Sequence, residues 1–355
     1  MIVYYTVIIS ICILAMIDFQ TSNEKCYVMG YRKMQKWVAS TIIIILSLVA
    51  GLRYNVGTDY YNYYASYDYF KNVSLQLNDE PGIKIIARIA SIIYDDPGTM
   101  MFLAAVITVI LITVTIVKNS EMCWFSLMLY VLLCCWHGCF NGVRQYLAAA
   151  ILFAGHYFIK EKKLVFWCMV VFVASMFHVT AVIGLVFYFF PRIKISFKQI
   201  VLSIIFIYIG MQAYDRIFGF IGFLKSDTFD FVGQGSGYLT NSISPFRILV
   251  AWVPVIFFWI FNRYYNKEEE KFKFYINMSL LHAIFMTAAI NSTYLGRIGI
   301  YTGVYNTLTW PLLIKKVEPR SQKILIIIML FFYFLYWHTE ASGSTLVNFR
   351  WIFQR

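Results

Sequence analysis

The chain of 355 residues is 60% apolar and 14% charged, with a mean hydropathy of +0.67. A soluble domain is typically about 45–50% apolar and about 25% charged, so this composition excludes a soluble globular protein, a disordered protein and a small disulfide-rich secreted protein. The net charge of +12 is compatible with nucleic-acid binding, with an acidic partner, or with a membrane protein whose inner loops are basic.

Apolar stretches that could cross a bilayer recur along the whole chain. Residues 98–117 form a run of twenty residues without a charge, about the length that spans ~30 Å of hydrocarbon. Similar stretches are found at 2–17, 37–52, 122–140, 145–159, 199–214, 246–261, 274–293, 298–314 and 324–337. The sequence therefore predicts an all-α, polytopic integral membrane protein. No Lys or Arg precedes the first stretch and no small-residue cleavage site follows it, so we expect a retained helix rather than a signal peptide.

Lys and Arg residues predict the orientation, because they concentrate in cytoplasmic loops. Basic residues in 21–36 make that loop cytoplasmic and the N-terminus external. The later basic loops can also be cytoplasmic only if the stretch 164–190 crosses twice, as two short arms (164–177 and 179–190) with His178 at their outer tip. The prediction is about twelve crossings with both termini outside. The basic loops are 21–36, 118, 160–163, 192–198, 262–273 and 315–323.

The net charge follows from this topology. The cytoplasmic side carries 19 Lys and Arg with 8 Asp and Glu, while the outside carries 11 and 10. The basic excess therefore orients the chain, and it gives no support to a nucleic-acid partner.

No cofactor or metal is expected from the motifs. The seven cysteines have no zinc-ligand spacing, and we expect them to be small buried apolar residues. The chain has no P-loop, no dinucleotide fingerprint and no zinc-protease motif. Of the five histidines, only His178 falls at a special position in the predicted topology.

The outer segment 53–97 is the first of two that could face a substrate. Seven tyrosines occur between residues 54 and 69, and Tyr54, Tyr60 and Tyr61 are candidate sugar contacts because tyrosine combines a flat apolar face with a hydroxyl. For most of these tyrosines an aromatic belt at the membrane interface is the alternative interpretation. Residues 81–96 begin with a proline suited to a helix start, and their isoleucines predict an amphipathic helix on the outer leaflet.

The second outer segment is 215–245, whose three closely spaced glycines predict a flexible flap over a substrate groove. We expect a single transmembrane domain, 1–355, that carries these two outer segments.

Four arginines lie at predicted outer helix ends, and none has an acidic residue within four positions in sequence: Arg53, Arg144, Arg247 and Arg297. Any one of them could simply extend its guanidinium to the interface. Four on the side with fewer cations favour a convergent anion site, because guanidinium binds phosphate in bidentate fashion. A lipid-linked phosphate or diphosphate is an anion held at the membrane surface.

Four short motifs resemble one known family. They are GLRYNVGTDYYNYY, FNGVRQYLAAAI, FHVTAVIGL and GRIGIYTGVYN, in this order along the chain. Together they resemble the EpsG/Wzy-type polysaccharide polymerases, a likeness that covers nearly the whole chain in motif order, hydropathy and length. The resemblance implies a GT-C-like membrane glycosyltransferase that joins undecaprenyl-diphosphate-linked oligosaccharide repeat units, of O-antigen or of capsule or exopolysaccharide, at the periplasmic face of the bacterial inner membrane.

The resemblance also implies metal-independent transfer, with a flippase and a chain-length regulator as partners. Under this interpretation Arg53, Arg144 and Arg297, which lie in motifs, form a diphosphate clamp, and Arg247 is added on its position alone. His178 is the candidate general base, because imidazole exchanges protons near neutral pH. Asp59 is the second candidate, although Gly-Thr-Asp is also ordinary turn chemistry.

Three other functions stay open at this point. A lipid-linked oligosaccharide flippase would show internal repeats and midplane charges, and the sequence shows neither. An acyltransferase would need a comparable histidine site on the inner side. An O-antigen ligase shares the same chemistry, and only the motif set favours a polymerase.

Overall fold

The protein is described here from a computed structural model, which covers residues 1–21, 34–77, 79–190, 201–202, 205, 243–261, 263, 265, 269–291 and 293–355. Within these ranges the chain is almost entirely helical, and the one β-type feature is an isolated bridge between Arg53 and Trp351. Most of the predicted span 199–214, nearly all of the flap 215–245, most of the basic loop 21–36 and the whole basic loop 192–198 lie outside the described residues.

The described helices follow the apolar stretches of the sequence. In chain order they are α1 (Ile2–Thr21), α2 (Lys36–Gly51), α3 (Tyr60–Ala65), α4 (Tyr67–Asn72), α5 (Pro81–Ile93), α6 (Pro97–Asn119), α7 (Cys123–Leu132), α8 (Cys135–Gly138), α9 (Val143–Gly155), α10 (Tyr157–Lys160), α11 (Leu164–Ser175), α12 (Gly184–Phe189), α13 (Pro245–Ile260), α14 (Glu270–Ala288), α15 (Thr293–Ile298), α16 (Ile300–Gly303), α17 (Asn306–Lys315) and α18 (Pro319–Ser342). Short 3₁₀ turns occur at Val179–Ile183, Ala289–Asn291, Thr345–Val347 and Ile352–Gln354.

Three of these helices, α1, α6 and α18, are long and apolar enough to cross a membrane by themselves. Shorter apolar helices, among them α2, α7, α11 and α13, accompany them. The described part of the chain is therefore helical, and its long apolar helices are those of a membrane protein. The number of crossings and the side on which the termini lie stay predictions.

Several predicted spans are interrupted. The stretch 145–159 divides into α9 and α10 at His156. The stretch 122–140 divides into α7 and α8 at Cys134, whose φ of 59° is left-handed and cannot continue a right-handed helix. The stretch 298–314 divides into α16 and α17.

The stretch 164–190 breaks where the sequence predicts it to break. Helix α11 ends at Ser175, His178 is extended, and a 3₁₀ turn begins at Val179. The two arms pack together, and Trp167 Nε1 donates to the Gly184 carbonyl at 2.9 Å.

The described residues form two compact units. The first combines Met1–Leu185 with Trp310–Arg355, and the second is Val186–Thr309. In the first unit α6 packs against α2, α5 and α9, while isoleucine, leucine and phenylalanine side chains point outward from α1, α11 and α18. In the second unit α13 packs against α14 around a small apolar core. Outward-facing apolar side chains are what a lipid-facing surface requires.

Candidate active site

Glu80 joins two of the residues that the sequence singles out. Its Oε2 accepts a hydrogen bond from Arg144 Nη1 at 2.5 Å, and its Oε1 accepts from His178 Nδ1 at 2.9 Å. The backbone N–H of Val179 donates to the same Oε1 at 2.9 Å. One carboxylate therefore connects the first turn of α9 with the break after α11.

The local backbone explains why Glu80 reaches both partners. Glu80 precedes Pro81, the first residue of α5, and adopts a left-handed conformation with φ 42° and ψ 62°. Gly82 N–H donates to the Met176 carbonyl at 2.8 Å, and a Cβ on Gly82 would lie 2.5 Å from the Phe177 ring. A side chain at position 82 would therefore push α5 away from the His178 turn.

The carboxylate of Glu80 is held in its ionised form. Burial alone would raise the pKa of Glu80, but the hydrogen bond from His178, the positive charge of Arg144 and the Val179 N–H together lower it below its ordinary value. The Glu80 side chain is 15% exposed, compared with 22% for His178 and 35% for Arg144. The two partners are thus more open to solvent than the acid that joins them.

In this arrangement His178 still has a nitrogen that can accept a proton, and Arg144 still has a nitrogen that can donate a hydrogen bond. Because an ionised carboxylate accepts from His178 Nδ1, the neutral imidazole keeps its lone pair on Nε2. Arg144 uses Nη1 for Glu80 and Nε for the Tyr63 hydroxyl at 3.1 Å. Arg144 Nη2 and His178 Nε2 make no hydrogen bond to any residue that the structure describes.

Arg53 contacts the same short helix as Arg144, at a tyrosine one turn away. Arg144 lies over the ring of Tyr63, 5.6 Å from its centroid, and Arg53 lies over the ring of Tyr60 at 5.7 Å. Unlike Arg144, the Arg53 side chain is almost completely enclosed, with 1% of the residue exposed. Both arginines therefore contact α3, but the Arg144 side chain is partly exposed to solvent whereas that of Arg53 is buried.

The Gly57-Thr58-Asp59 turn packs against the residues before α9. Gly57 has φ +105°, and a Cβ there would lie 2.4 Å from the Phe140 carbonyl oxygen. The Thr58 N–H donates to Asn141 Oδ1 at 2.9 Å. Asp59 precedes α3, and its carboxylate accepts from the Thr58 hydroxyl at 3.3 Å, away from the Glu80 contacts.

The three candidate sugar-binding tyrosines differ in accessibility. Tyr60 is buried between Tyr54 and Tyr64, with ring centroids 6.0 and 5.8 Å away, and Tyr54 is half-buried. Tyr61 is 68% exposed. Tyr61 thus has the most accessible ring of the three.

Arg247 and Arg297 belong to the second unit, whereas the other predicted site residues all lie in the first. Arg247 is exposed in the first turn of α13, and Arg297 is exposed in the last turn of α15.

Glu80 is the site residue that the sequence interpretation missed. Its separation of 64 residues from Arg144 and 98 from His178 hides the contact. The available signal was an acidic residue directly before a helix-initiating proline, beside a segment already assigned to the outer face. In the described ranges, no group of three His, Cys, Asp or Glu side chains comes together as a metal site.

Comparison with known proteins identifies a family. The sequence model of the EpsG family matches residues 36–352, which include all four motifs, the three site residues and the enclosed Arg53. No curated protein matches the chain, and no solved structure matches it.

Proposed function

Because the chain belongs to the EpsG family, whose function is of the polysaccharide-polymerase type, we propose that it is a membrane glycosyltransferase that polymerises lipid-linked oligosaccharide repeat units. The donor and acceptor are undecaprenyl-diphosphate-linked oligosaccharides of O-antigen or of capsule or exopolysaccharide. The reaction takes place at the periplasmic, outer face of the inner membrane, and a flippase and a chain-length regulator are the proposed partners.

The observation that carries the proposal is the hydrogen-bonded chain from Arg144 through Glu80 to His178. Glycosyl transfer needs a base for the acceptor hydroxyl and a positive charge for the leaving diphosphate. Here one carboxylate holds both groups at the same place, which is how an enzyme preorganises reacting partners.

The steps follow from these groups. The acceptor hydroxyl oxygen attacks the anomeric carbon of the donor sugar while its proton moves to His178 Nε2. The bond between the anomeric carbon and the diphosphate oxygen breaks, and the electron pair leaves on the diphosphate. Arg144 Nη2 donates to the developing negative charge, and Glu80 stabilises the imidazolium of His178 through Nδ1.

Other members of the predicted clamp are proposed with separate support. Arg297 lies in the fourth motif, and Arg247 rests on its position at a helix start. Arg53, the remaining predicted clamp residue, is left out of the proposed clamp because its side chain is enclosed.

Asp59 is the alternative base, while Tyr54 and Tyr61 are proposed sugar contacts, Tyr61 first because of its exposure. Tyr60, the third predicted sugar contact, is buried and is left out of this proposal.

A gel of the lipid-linked glycan made by a deletion strain tests the activity. Wild-type protein should restore a ladder of repeat units, and Arg144→Ala and Arg297→Ala should leave a single repeat unit while the protein still inserts. Arg320→Ala, which removes an exposed guanidinium in the first turn of α18, is the control and should restore the ladder.

Other results would contradict the proposal in recognisable ways. Normal chain length in both Arg144→Ala and Arg297→Ala would exclude the clamp. Long polymer that accumulates on its lipid in the deletion strain would identify a ligase, and repeat units confined to the cytoplasmic leaflet would identify a flippase.

A further inference from the structure

Arg53 is a buried cation at the end of α2. Its Nη1 donates to the Ala50 carbonyl in the last turn of that helix, and its guanidinium carbon lies 4.7 Å from the centroid of Phe140. Its backbone forms an antiparallel bridge with Trp351. The helix end and the aromatic rings stabilise a positive charge in part, through the carbonyl dipole and the cation–π contact.

The charge of Arg53 nevertheless lacks a counter-charge among the described residues. The groups that interact with it electrostatically are Cys139, Tyr60 and Tyr4, and none of them is a carboxylic acid. A buried charge without an opposite charge destabilises a protein strongly, more than one carbonyl and two rings offset. Among the described residues, the guanidinium of Arg53 is therefore a buried positive charge that no acid balances.

Four buried hydrogen-bond donors, two on Arg53 itself and two on tyrosines that interact with it, also lack an acceptor among the described residues. Arg53 Nε and Nη2 are buried without a hydrogen-bond partner, as are the hydroxyls of Tyr4 and Tyr60, in the part of the chain that the structure describes. Buried polar groups are normally paired, and an unpaired one destabilises the fold. A water molecule could pair with a hydroxyl, but it would leave the guanidinium charge uncompensated.

We propose that the space bounded by Arg53, Tyr4 and Tyr60 binds a small inorganic anion, of the size of chloride. One negative ion would neutralise Arg53 and accept from both tyrosine hydroxyls. This anion site is separate from the Arg144 site, because Arg144 pairs with Glu80 and lies over Tyr63, whereas Arg53 lies over Tyr60 and contacts neither. It is a structural ion site that goes beyond the proposed transferase activity.

The enclosure favours a small ion over the diphosphate of a lipid. Tyr4 and Tyr60 are buried, Phe140 covers one face of the guanidinium, and the Tyr54 N–H pairs with the Arg350 carbonyl at 2.8 Å beside it. A diphosphate that carries a sugar and a polyprenyl chain would have to displace the 350–352 segment to reach Arg53. A single ion needs no such opening.

Thermal unfolding of the detergent-purified full chain tests the site. Sodium gluconate is replaced by sodium chloride at constant ionic strength, and the midpoint temperature should rise and saturate with chloride. Arg53→Met should lose this rise, whereas Arg350→Met, the matched exposed arginine, should keep it. Tyr60→Phe, which removes one donor but keeps the ring, should weaken half-saturation by about tenfold.

The opposite results are equally clear. Wild-type protein that unfolds at the same temperature in gluconate and chloride would overturn the proposal, as would an equal loss of the chloride effect in Arg350→Met. A rise with inorganic phosphate but not with chloride would contradict the small-ion assignment. If the Arg53→Met protein does not accumulate, Tyr4→Phe and Tyr60→Phe test the site in its place. An unchanged chloride concentration at half-saturation in both variants would exclude the site.

Discussion

Glu80 determines which nitrogen of His178 can accept a proton. Its ionised carboxylate accepts from Nδ1, so Nε2 is the ring nitrogen that is left to accept a proton. In the proposed mechanism His178 and Arg144 meet the substrate, and Glu80 does not. Glu80 is therefore a positioning residue that acts through these two side chains.

Replacing Glu80 with Gln tests this role. The amide keeps the shape of the side chain but removes the charge that orients the imidazole and stabilises its protonated form. We expect the rate of polymerisation at saturating donor to fall by roughly ten- to a hundredfold, the equivalent of one hydrogen bond to a charged group. Half-saturation by donor should change little. A Glu80→Gln enzyme that keeps its full rate would remove Glu80 from the mechanism.

His178→Ala should be more severe than Glu80→Gln. General-base catalysis contributes roughly a hundred- to ten-thousandfold, so the ladder of repeat units should disappear from the glycan gel. Asp59→Asn is the comparison: a normal ladder in Asp59→Asn with none in His178→Ala identifies His178 as the base, and the reverse pattern identifies Asp59.

The lowered pKa of Glu80 predicts how acid affects stability. A carboxylate whose folded pKa lies below its ordinary value of 4.5 stabilises the fold at higher pH, and this contribution is lost as the pH falls through the lowered value. The difference in midpoint unfolding temperature between wild type and Glu80→Gln should therefore be constant near neutral pH. It should shrink below about pH 4.5. A difference that persists unchanged in acid would mean that Glu80 acts by packing alone.

The residues of the site differ in how far sequence reveals them. His178 is visible because it sits at the centre of an apolar stretch too long for one span, between two basic loops. Glu80 is not visible in this way, because its two contacts bring together three segments that only the packed helices align. The pairing of Arg144 with an acid also had to come from the structure, because no acidic residue lies near Arg144 in sequence.

At the level of the elements, tight connections hold the motif segments together. Gly57 turns the chain into α3 with a positive φ, and the turn rests directly on the Phe140 carbonyl. The first and second motifs are therefore joined by backbone contact, which a larger residue at position 57 would disturb.

Gly57→Ala tests the turn, with Gly142→Ala as its control. A Cβ at position 57 would meet backbone at 2.4 Å in a left-handed conformation, whereas a Cβ at position 142 would meet Tyr146 at an ordinary 3.4 Å. We expect Gly57→Ala to lose at least about 1–3 kcal/mol of stability, and Gly142→Ala markedly less. Midpoint unfolding temperatures of the purified variants measure this. Equal losses would show that the turn is not strained by a side chain.

Apolar length predicts the long helices well and the interrupted ones poorly. Helix α6 covers the predicted 98–117 almost residue for residue, because nothing in it opposes helix formation. The stretch 122–140 is as apolar, but the left-handed Cys134 divides it. Tertiary packing stabilises a non-glycine residue in this left-handed conformation, and the hydropathy of the sequence does not predict such packing.

At the scale of the whole molecule, the two ends of the chain meet in the first unit. The N-terminal amine of Met1 donates to the Val347 carbonyl at 2.9 Å, and the Ile352 N–H donates to the Leu52 carbonyl at 2.8 Å. Arg355 pairs with Asp96 through two hydrogen bonds, and these bonds from Arg355 lower the pKa of Asp96 despite its partial burial.

Arg355→Ala should weaken the contacts between the 350–355 segment and the rest of the first unit. Without the guanidinium, Asp96 keeps only its hydrogen bonds at the start of α6, and the 350–355 segment loses its charged anchor. Amide hydrogen exchange at Tyr54 and Ile352 should then accelerate, while exchange in α6 should not change. In wild type the same acceleration should appear only in acid, below the ordinary pKa of an aspartate near 4, once Asp96 takes up a proton. Unchanged exchange in Arg355→Ala would show that the backbone pairing suffices.

The bridge between Arg53 and Trp351 also sets the order in which this protein matures during synthesis. Roughly 300 residues separate the two partners, and a ribosome that adds about 5–20 residues per second needs roughly 15–60 s to make them. Throughout that interval α1, α2 and α6 can insert and pack, but the enclosure of Arg53 is unfinished. The 350–352 segment completes the enclosure only when it has been made, so a nascent chain stalled before residue 350 would expose a cation that the folded chain hides.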